Sequence, residues 1–200
     1  MIDNQLKFEE KFQNQLLNNR LKKKFSEKFN KIFKEIKKDI KNSSKTLNVL
    51  DNNFQLNFKI ENLKKFKNFK TIAVIGMGGS ILGAEAIYNF FKKKVKKKFY
   101  FFNDIDENKI KEFKQKEIIS KTLFIVISKS GYTVETIANS FALNIFKKNS
   151  KNIILVSERN NNEIFLLSKK LNLYFVEHKK NIGGRYSVLS EVGMLPAYLM

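Results

Sequence analysis

Thr71-Ile72-Ala73-Val74-Ile75-Gly76-Met77-Gly78-Gly79-Ser80 is an apolar, β-branched run that stops abruptly at glycines. It does not alternate apolar with polar residues. A strand buried on one face would alternate, whereas a strand buried on both faces reads as one continuous apolar run, the mark of a parallel sheet covered by helices.

The same texture recurs downstream at Phe99-Tyr100-Phe101-Phe102, at Thr122-Leu123-Phe124-Ile125-Val126-Ile127-Ser128, at Asn152-Ile153-Ile154-Leu155-Val156 and at Leu173-Tyr174-Phe175-Val176. Helical stretches are predicted from Ser80 to about Phe91, from about Asp106, from Thr133 to about Phe146, and from near Asn162 to Lys170. Alternating strand and helix units predict an α/β fold: a three-layer, doubly wound, flavodoxin-like domain on a five-stranded parallel sheet. By analogy of fold the strand order is 2-1-3-4-5, which makes the first and third strands neighbours with their helices on opposite sides.

Residues 1–70 contain neither Gly nor Pro. Phe8, Phe12, Leu16, Leu17 and Leu21, then Phe25, Phe29, Ile32, Phe33 and Ile36, recur at helical spacing. They predict two or three helices with a break at Asn42-Ser43-Ser44. The organisation expected is a helical N-terminal segment over 1–70 and an α/β domain over 71–200. A last helix is expected from Ser187, kinked at Pro196. It runs to Met200 without a terminal Gly or a polar last turn. That apolar helix calls for a cover, and the expectation is that the chain is the N-terminal portion of a longer protein.

Composition excludes several functions. The 200 residues hold no cysteine, so disulfides, thiolate metal sites and cysteine nucleophiles are out. With His178 the single histidine, a metal site or triad built within the chain is disfavoured; no metal and no cofactor is expected. Set between Glu177 and Lys179-Lys180, His178 is assigned to the surface and given no role. No apolar run reaches the roughly 18 residues of a membrane span, and the start has no signal core, so the expectation is a cytoplasmic protein with no membrane partner. The net charge of +20 would ordinarily point to polyanions. Here the basic residues are Lys except for Arg20, Arg159 and Arg185, and they are spread among abundant Asn, Ile and Phe. Compositional drift toward A/T-rich codons accounts for all four biases, so no nucleic-acid partner is assigned.

Ligands bind open parallel sheets beyond the carboxyl ends of the strands, where the strand order reverses. The first such loop, Gly76-Met77-Gly78-Gly79-Ser80-Ile81-Leu82-Gly83, lets backbone N–H groups approach a ligand. Ser80 falls at the expected helix start, either beside a bound anion or as a plain N-cap. The loop is neither a Walker loop nor a full dinucleotide fingerprint. The third, Ser128-Lys129-Ser130-Gly131-Tyr132-Thr133-Val134-Glu135-Thr136, clusters hydroxyls and a lysine, which suits a phosphate monoester. Thr133 with Glu135 also reads as a helix cap, but a cap needs one hydroxyl, not a cluster. After the fifth strand comes Gly183-Gly184-Arg185-Tyr186-Ser187, with an arginine kept against the lysine bias. Such a position needs the planar guanidinium fork, or else holds a surface ion pair.

These three segments, in this order and spacing, resemble the glucose-6-phosphate isomerase family in its first sugar-isomerase domain. The first is similar to that family's G-I-G-G-S-x-L-G loop, the second to its S-K-[TS]-x-x-T-x-E-T loop. Ile182-Gly183-Gly184-Arg185-Tyr186-Ser187-Val188-Leu189-Ser190 is similar to its G-G-R-[FY]-S signature. The resemblance covers about 71–200. It implies interconversion of glucose 6-phosphate and fructose 6-phosphate through a cis-enediolate, without cofactor or metal. It implies that Ser128, Lys129, Ser130 and Thr133 hold the phosphate, that Gly79 and Ser80 contact the sugar, and that Arg185 stabilises the enediolate. It implies a homodimer for the full-length protein. The family's glutamate base and ring-opening histidine and lysine follow these motifs, and no residue here matches them; Glu135, Glu177, Glu191 and His178 are not assigned to those roles. The competing reading is a non-catalytic sugar-phosphate-binding module of the same fold, which would not need Arg185.

Overall fold

The computed structural model describes residues 19–200. The periodic positions Phe8, Phe12, Leu16 and Leu17 lie outside the described residues. Helix α1 spans Asn19–Lys41 and ends at the expected break. Beyond the break the helices are short. The stretch holds a 3-10 turn at Thr46–Leu50, the four-residue helix α2 (Ile60–Leu63) and a second 3-10 turn at Lys64–Phe66. An Asx turn, in which the Asn53 amide donates to Asp51 Oδ1 at 2.8 Å, diverts the chain between the first two. The apolar stripe of α1 at Phe25, Phe29, Ile32 and Phe33 is exposed.

Five parallel strands follow: β1 (Thr71–Gly76), β2 (Lys98–Phe102), β3 (Thr122–Ile127), β4 (Ile153–Ser157) and β5 (Tyr174–Glu177). Their order is β2-β1-β3-β4-β5, as expected, with Gly76 opposite Ile127. The β1 and β3 loops therefore leave the sheet at one level. Every residue of β1, β3 and β4 is buried, because each strand feeds two cores. Ile72 and Val74 face a core shared with Leu63, Ala84, Val192 and Leu195, from α2, α3 (Leu82–Phe91) and α7 (Glu191–Leu199). Ala73 and Ile75 face the other, shared with Ile110, Phe113, Leu143 and Ile164. These come from α4 (Glu107–Lys116), the end of α5 (Val134–Ala142) and α6 (Glu163–Leu171). The layers are thus helix, sheet, helix, with α3 and α5 on opposite faces.

Local chemistry sets the helix ends. Asp106 caps α4 through two backbone amides, and Asn162 caps α6 by accepting from the Phe165 amide at 2.9 Å. α5 ends at Ala142, short of the expected Phe146. Asn144 adopts φ 53°, a left-handed stop that turns Ile145 into the core. The last helix starts at Glu191 rather than Ser187, because residues Gly184–Leu189 form a 3-10 turn and Ser190 takes the cap. α7 continues through Pro196. Val192, Leu195 and Leu199 are buried on the sheet, each contributing about 1.5–3 kcal/mol, so this apolar stretch is core rather than an uncovered surface. Among the described residues no helix is long and apolar enough to cross a membrane.

Candidate active site

The β1 loop turns tightly. Gly78 sits at φ 51°, and Gly78–Ser80 form a 3-10 turn closed by the Ser80 amide donating to Met77 O at 3.0 Å. Ser80 does not start the helix, contrary to expectation. α3 begins at Leu82, Ile81 holds the cap position without a side-chain bond, and Ser80 Oγ has no partner among the described residues. Gly79 backs directly onto the Arg185 loop: a Cβ there would meet Gly184 O at 2.1 Å and Arg185 N at 3.0 Å. Ser187 completes the contact by donating its hydroxyl between Gly184 O at 2.6 Å and Gly79 O at 3.1 Å.

In the β3 loop Ser128 is buried, and its Oγ lies 2.8 Å from Thr133 Oγ1. The same Oγ accepts from the Gly131 amide at 3.1 Å, with Gly131 at φ 74°. Only a glycine fits there, since a Cβ would meet the Asn162 side chain. Thr133 occupies the cap position of α5 yet makes no side-chain cap bond. Its hydroxyl turns toward Ser128 instead, which removes the plain-cap reading. Ser130 Oγ accepts from the Tyr132 amide at 3.3 Å. The Lys129 ammonium points aside, donating to Lys180 O at 2.9 Å and pairing with Glu158 at 3.5 Å.

Arg185 is exposed and forms no ion pair among the described residues, unlike Arg159, which pairs with Glu177 at 3.1 Å. The fold thus brings Gly79 and Arg185 together, pairs Ser128 with Thr133, and sets both groups at the β1–β3 crevice where the strand order reverses. Two broad hollows of about 520 and 740 Å³ lie at the opposite, amino edge of the sheet. The smaller is lined by Thr71, Ser120 and Thr122 among others, and neither includes a residue of the β1, β3 or Arg185 loops.

His178 corrects the surface assignment. Its amide donates to Ser157 O at 2.7 Å, continuing the β4–β5 ladder by one residue, and the side chain is 2% exposed. Both ring nitrogens lack a partner among the described residues. Burial, and then the nearby Lys129 ammonium, push its pKa down to about 4, so the ring is neutral at pH 7. The period of two was the available signal: extending β5 puts His178 on the face of buried Val176. Glu191 was also passed over. It is fully buried, its Oε1 accepts from the Asn57 amide at 2.8 Å, and burial raises its pKa. Among the described residues no three His, Cys, Asp or Glu side chains are placed to hold a metal ion.

The family model described as phosphoglucose isomerase matches residues 23–200. The chain is 38% identical over 160 residues to a probable glucose-6-phosphate isomerase of Methanococcus maripaludis, covering 75% of this chain and 36% of that one. It is 39% identical over 152 residues to a glucose-6-phosphate isomerase of Borreliella afzelii, covering 70% and 28%. A crystal structure of a glucose-6-phosphate isomerase from Chlamydia trachomatis superposes with a TM-score of 0.59 at 27% identity, covering 70% of this chain and 29% of that one. The chain therefore spans about a third of the length of the curated relatives it matches.

Proposed function

The chain belongs to the phosphoglucose isomerase family, and from that premise we propose that it forms the phosphate- and enediolate-binding part of an enzyme interconverting glucose 6-phosphate and fructose 6-phosphate. The observation that carries this reading is the seating of Gly79 against the Gly184–Arg185 peptide, beside the paired hydroxyls of Ser128 and Thr133.

In this proposal Ser128, Ser130 and Thr133 give hydroxyls to the phosphate oxygens, where charge-assisted hydrogen bonds are strong. Lys129 adds positive charge at the rim. Gly79 and Ser80 line the sugar side. Isomerisation removes a proton from C2 of the aldose and returns one to C1, leaving negative charge on the enediolate oxygens in between. The Arg185 guanidinium, without an ion pair among the described residues, is placed to meet that charge as it develops. The proton itself needs a base, and general acid–base help is worth about 10²–10⁴-fold in typical enzymes. Because the chain spans about a third of its relatives' length, we assign the base and the ring-opening groups to sequence outside these 200 residues. Residues 71–200 are proposed as the sugar-isomerase domain and residues 1–70 as its helical lead-in. The complete enzyme is proposed to be a cytoplasmic homodimer.

The test has two parts. Calorimetric titration of the 200-residue chain with fructose 6-phosphate should show binding that fructose does not. A coupled isomerase assay should show turnover for the protein extended to its natural stop codon and none for the 200-residue chain. Binding without turnover in the extended protein would favour the non-catalytic sugar-phosphate module, and no binding by either protein would refute both readings.

A further inference from the structure

Beyond the ladder bond from the His178 amide to Ser157 O, the segment that carries Arg185, from Lys179 to Ser190, has only local backbone bonds of its own. The Ile182 amide donates to Lys179 O at 3.2 Å, Tyr186 to Gly183 O at 2.9 Å and Ser190 to Ser187 O at 2.9 Å. Bonds of that kind shape a turn but do not fix where it sits. Gly79 and Ser187 hold its front. Lys129 Nζ donates to Lys180 O at 2.9 Å, and the rest of its back is held by residues far away in sequence, from the stretch between α1 and α2.

Three points are fastened. At the entrance, Asn57 Nδ2 donates to Glu177 O at 3.0 Å and Lys179 Nζ donates to Asn57 Oδ1 at 2.9 Å. In the middle, the Thr46 hydroxyl donates to Asn181 O at 2.7 Å, while Asn181 Nδ2 donates to Ser43 O and Lys45 O, both at 3.1 Å. At the exit, the Asn57 amide donates to the buried Glu191 carboxylate at 2.8 Å. None of these side chains belongs to the hydroxyl cluster at Ser128 and Thr133.

We propose that residues 43–57 are a strap that sets the position of Arg185, with Thr46 and Asn181 as positioning residues. The proposal rests on Arg185 meeting the enediolate. A guanidinium acting on transition-state charge needs accurate placement, and a misplacement of about 1 Å can lower a rate by about a hundredfold. A phosphate held by the β3 loop does not depend on the strap. Loosening the strap therefore lowers kcat and leaves KM nearly unchanged.

The experiment uses the protein extended to its natural stop codon, with Thr46→Val, Asn181→Ala and Thr46→Ser. Thr46 is half-exposed, so its valine variant should fold, and thermal unfolding checks this. Thr46→Val and Asn181→Ala should lower kcat between about tenfold and a hundredfold, with KM within about twofold; Thr46→Ser, which keeps the hydroxyl, should restore wild-type kcat. Amide hydrogen exchange should quicken over residues 182–189 in the valine variant and stay unchanged over residues 128–136. Unchanged exchange at 182–189 would overturn the strap, and quickened exchange with an unchanged kcat would overturn its positioning role. If the wild-type protein shows no turnover, the functional reading fails on its own, and the exchange pattern still decides whether the strap exists.

Discussion

Gly79 and Gly184 meet through backbone alone: a methyl group on Gly79 would stand 2.1 Å from the Gly184 carbonyl oxygen, whereas one on Gly184 would meet nothing within 4 Å. The two glycines therefore answer differently to the same substitution. Gly79→Ala should push the Arg185 loop off the crevice, at a strain of about 1–3 kcal/mol, and weaken fructose 6-phosphate binding. Gly184→Ala should leave binding nearly unchanged. Calorimetric titration of both variants checks the pair, and equal effects would remove the contact from the argument.

Thr133 separates a cap from a ligand. A hydroxyl that caps a helix contributes about 1 kcal/mol to stability, but Thr133 makes no such bond. Thr133→Val should therefore cost no more stability than its bond to Ser128, about 0.5–1.5 kcal/mol. It should weaken sugar-phosphate binding by about 1.5–3 kcal/mol, the range for a lost hydrogen bond to a charged group. Thr133→Ser should bind as the wild type does. A large stability loss with unchanged affinity would return Thr133 to a capping role.

Arg185→Lys keeps the charge and loses the planar fork. In the protein extended to its natural stop codon, steady-state kinetics should show kcat falling much further than KM rises, because the fork meets charge that exists only along the reaction path. A change confined to KM would recast Arg185 as a ground-state binding residue.

His178 makes stability depend on pH. Its pKa falls from the ordinary 6.5 to about 4 in the folded chain. Between those values the unfolded state binds more protons, so stability is fully present above pH 6.5 and is lost as pH falls toward 4. The full effect is roughly 3 kcal/mol. His178→Leu, close in volume and uncharged, should flatten the pH dependence of the thermal midpoint across that window. A slope equal to the wild type's would assign the effect to other groups.

Much of this molecule could be read from one dimension. Continuous apolar runs such as Thr71–Ile75 and Thr122–Ile127 announce strands with a core on each side, and glycines and hydroxyls at their ends mark the loops. Those signals are local, because burial on two faces and turn conformation are imposed residue by residue. Elements whose limits depend on partners are not legible in the sequence. Ser80 became part of a turn rather than a helix start, and the last helix began late because the Ser187 hydroxyl bonds to Gly184 and Gly79. His178, flanked by charges, went inside because one more ladder bond to Ser157 extended β5. The seating of Gly79 on Gly184, the turn of Thr133 toward Ser128 and the hold of Thr46 on Asn181 were decided only in the folded chain. The physical reason is that a side chain's polar partner is chosen by distance in space. Sequence patterns report which groups need burial or a bond, and packing decides which group supplies it.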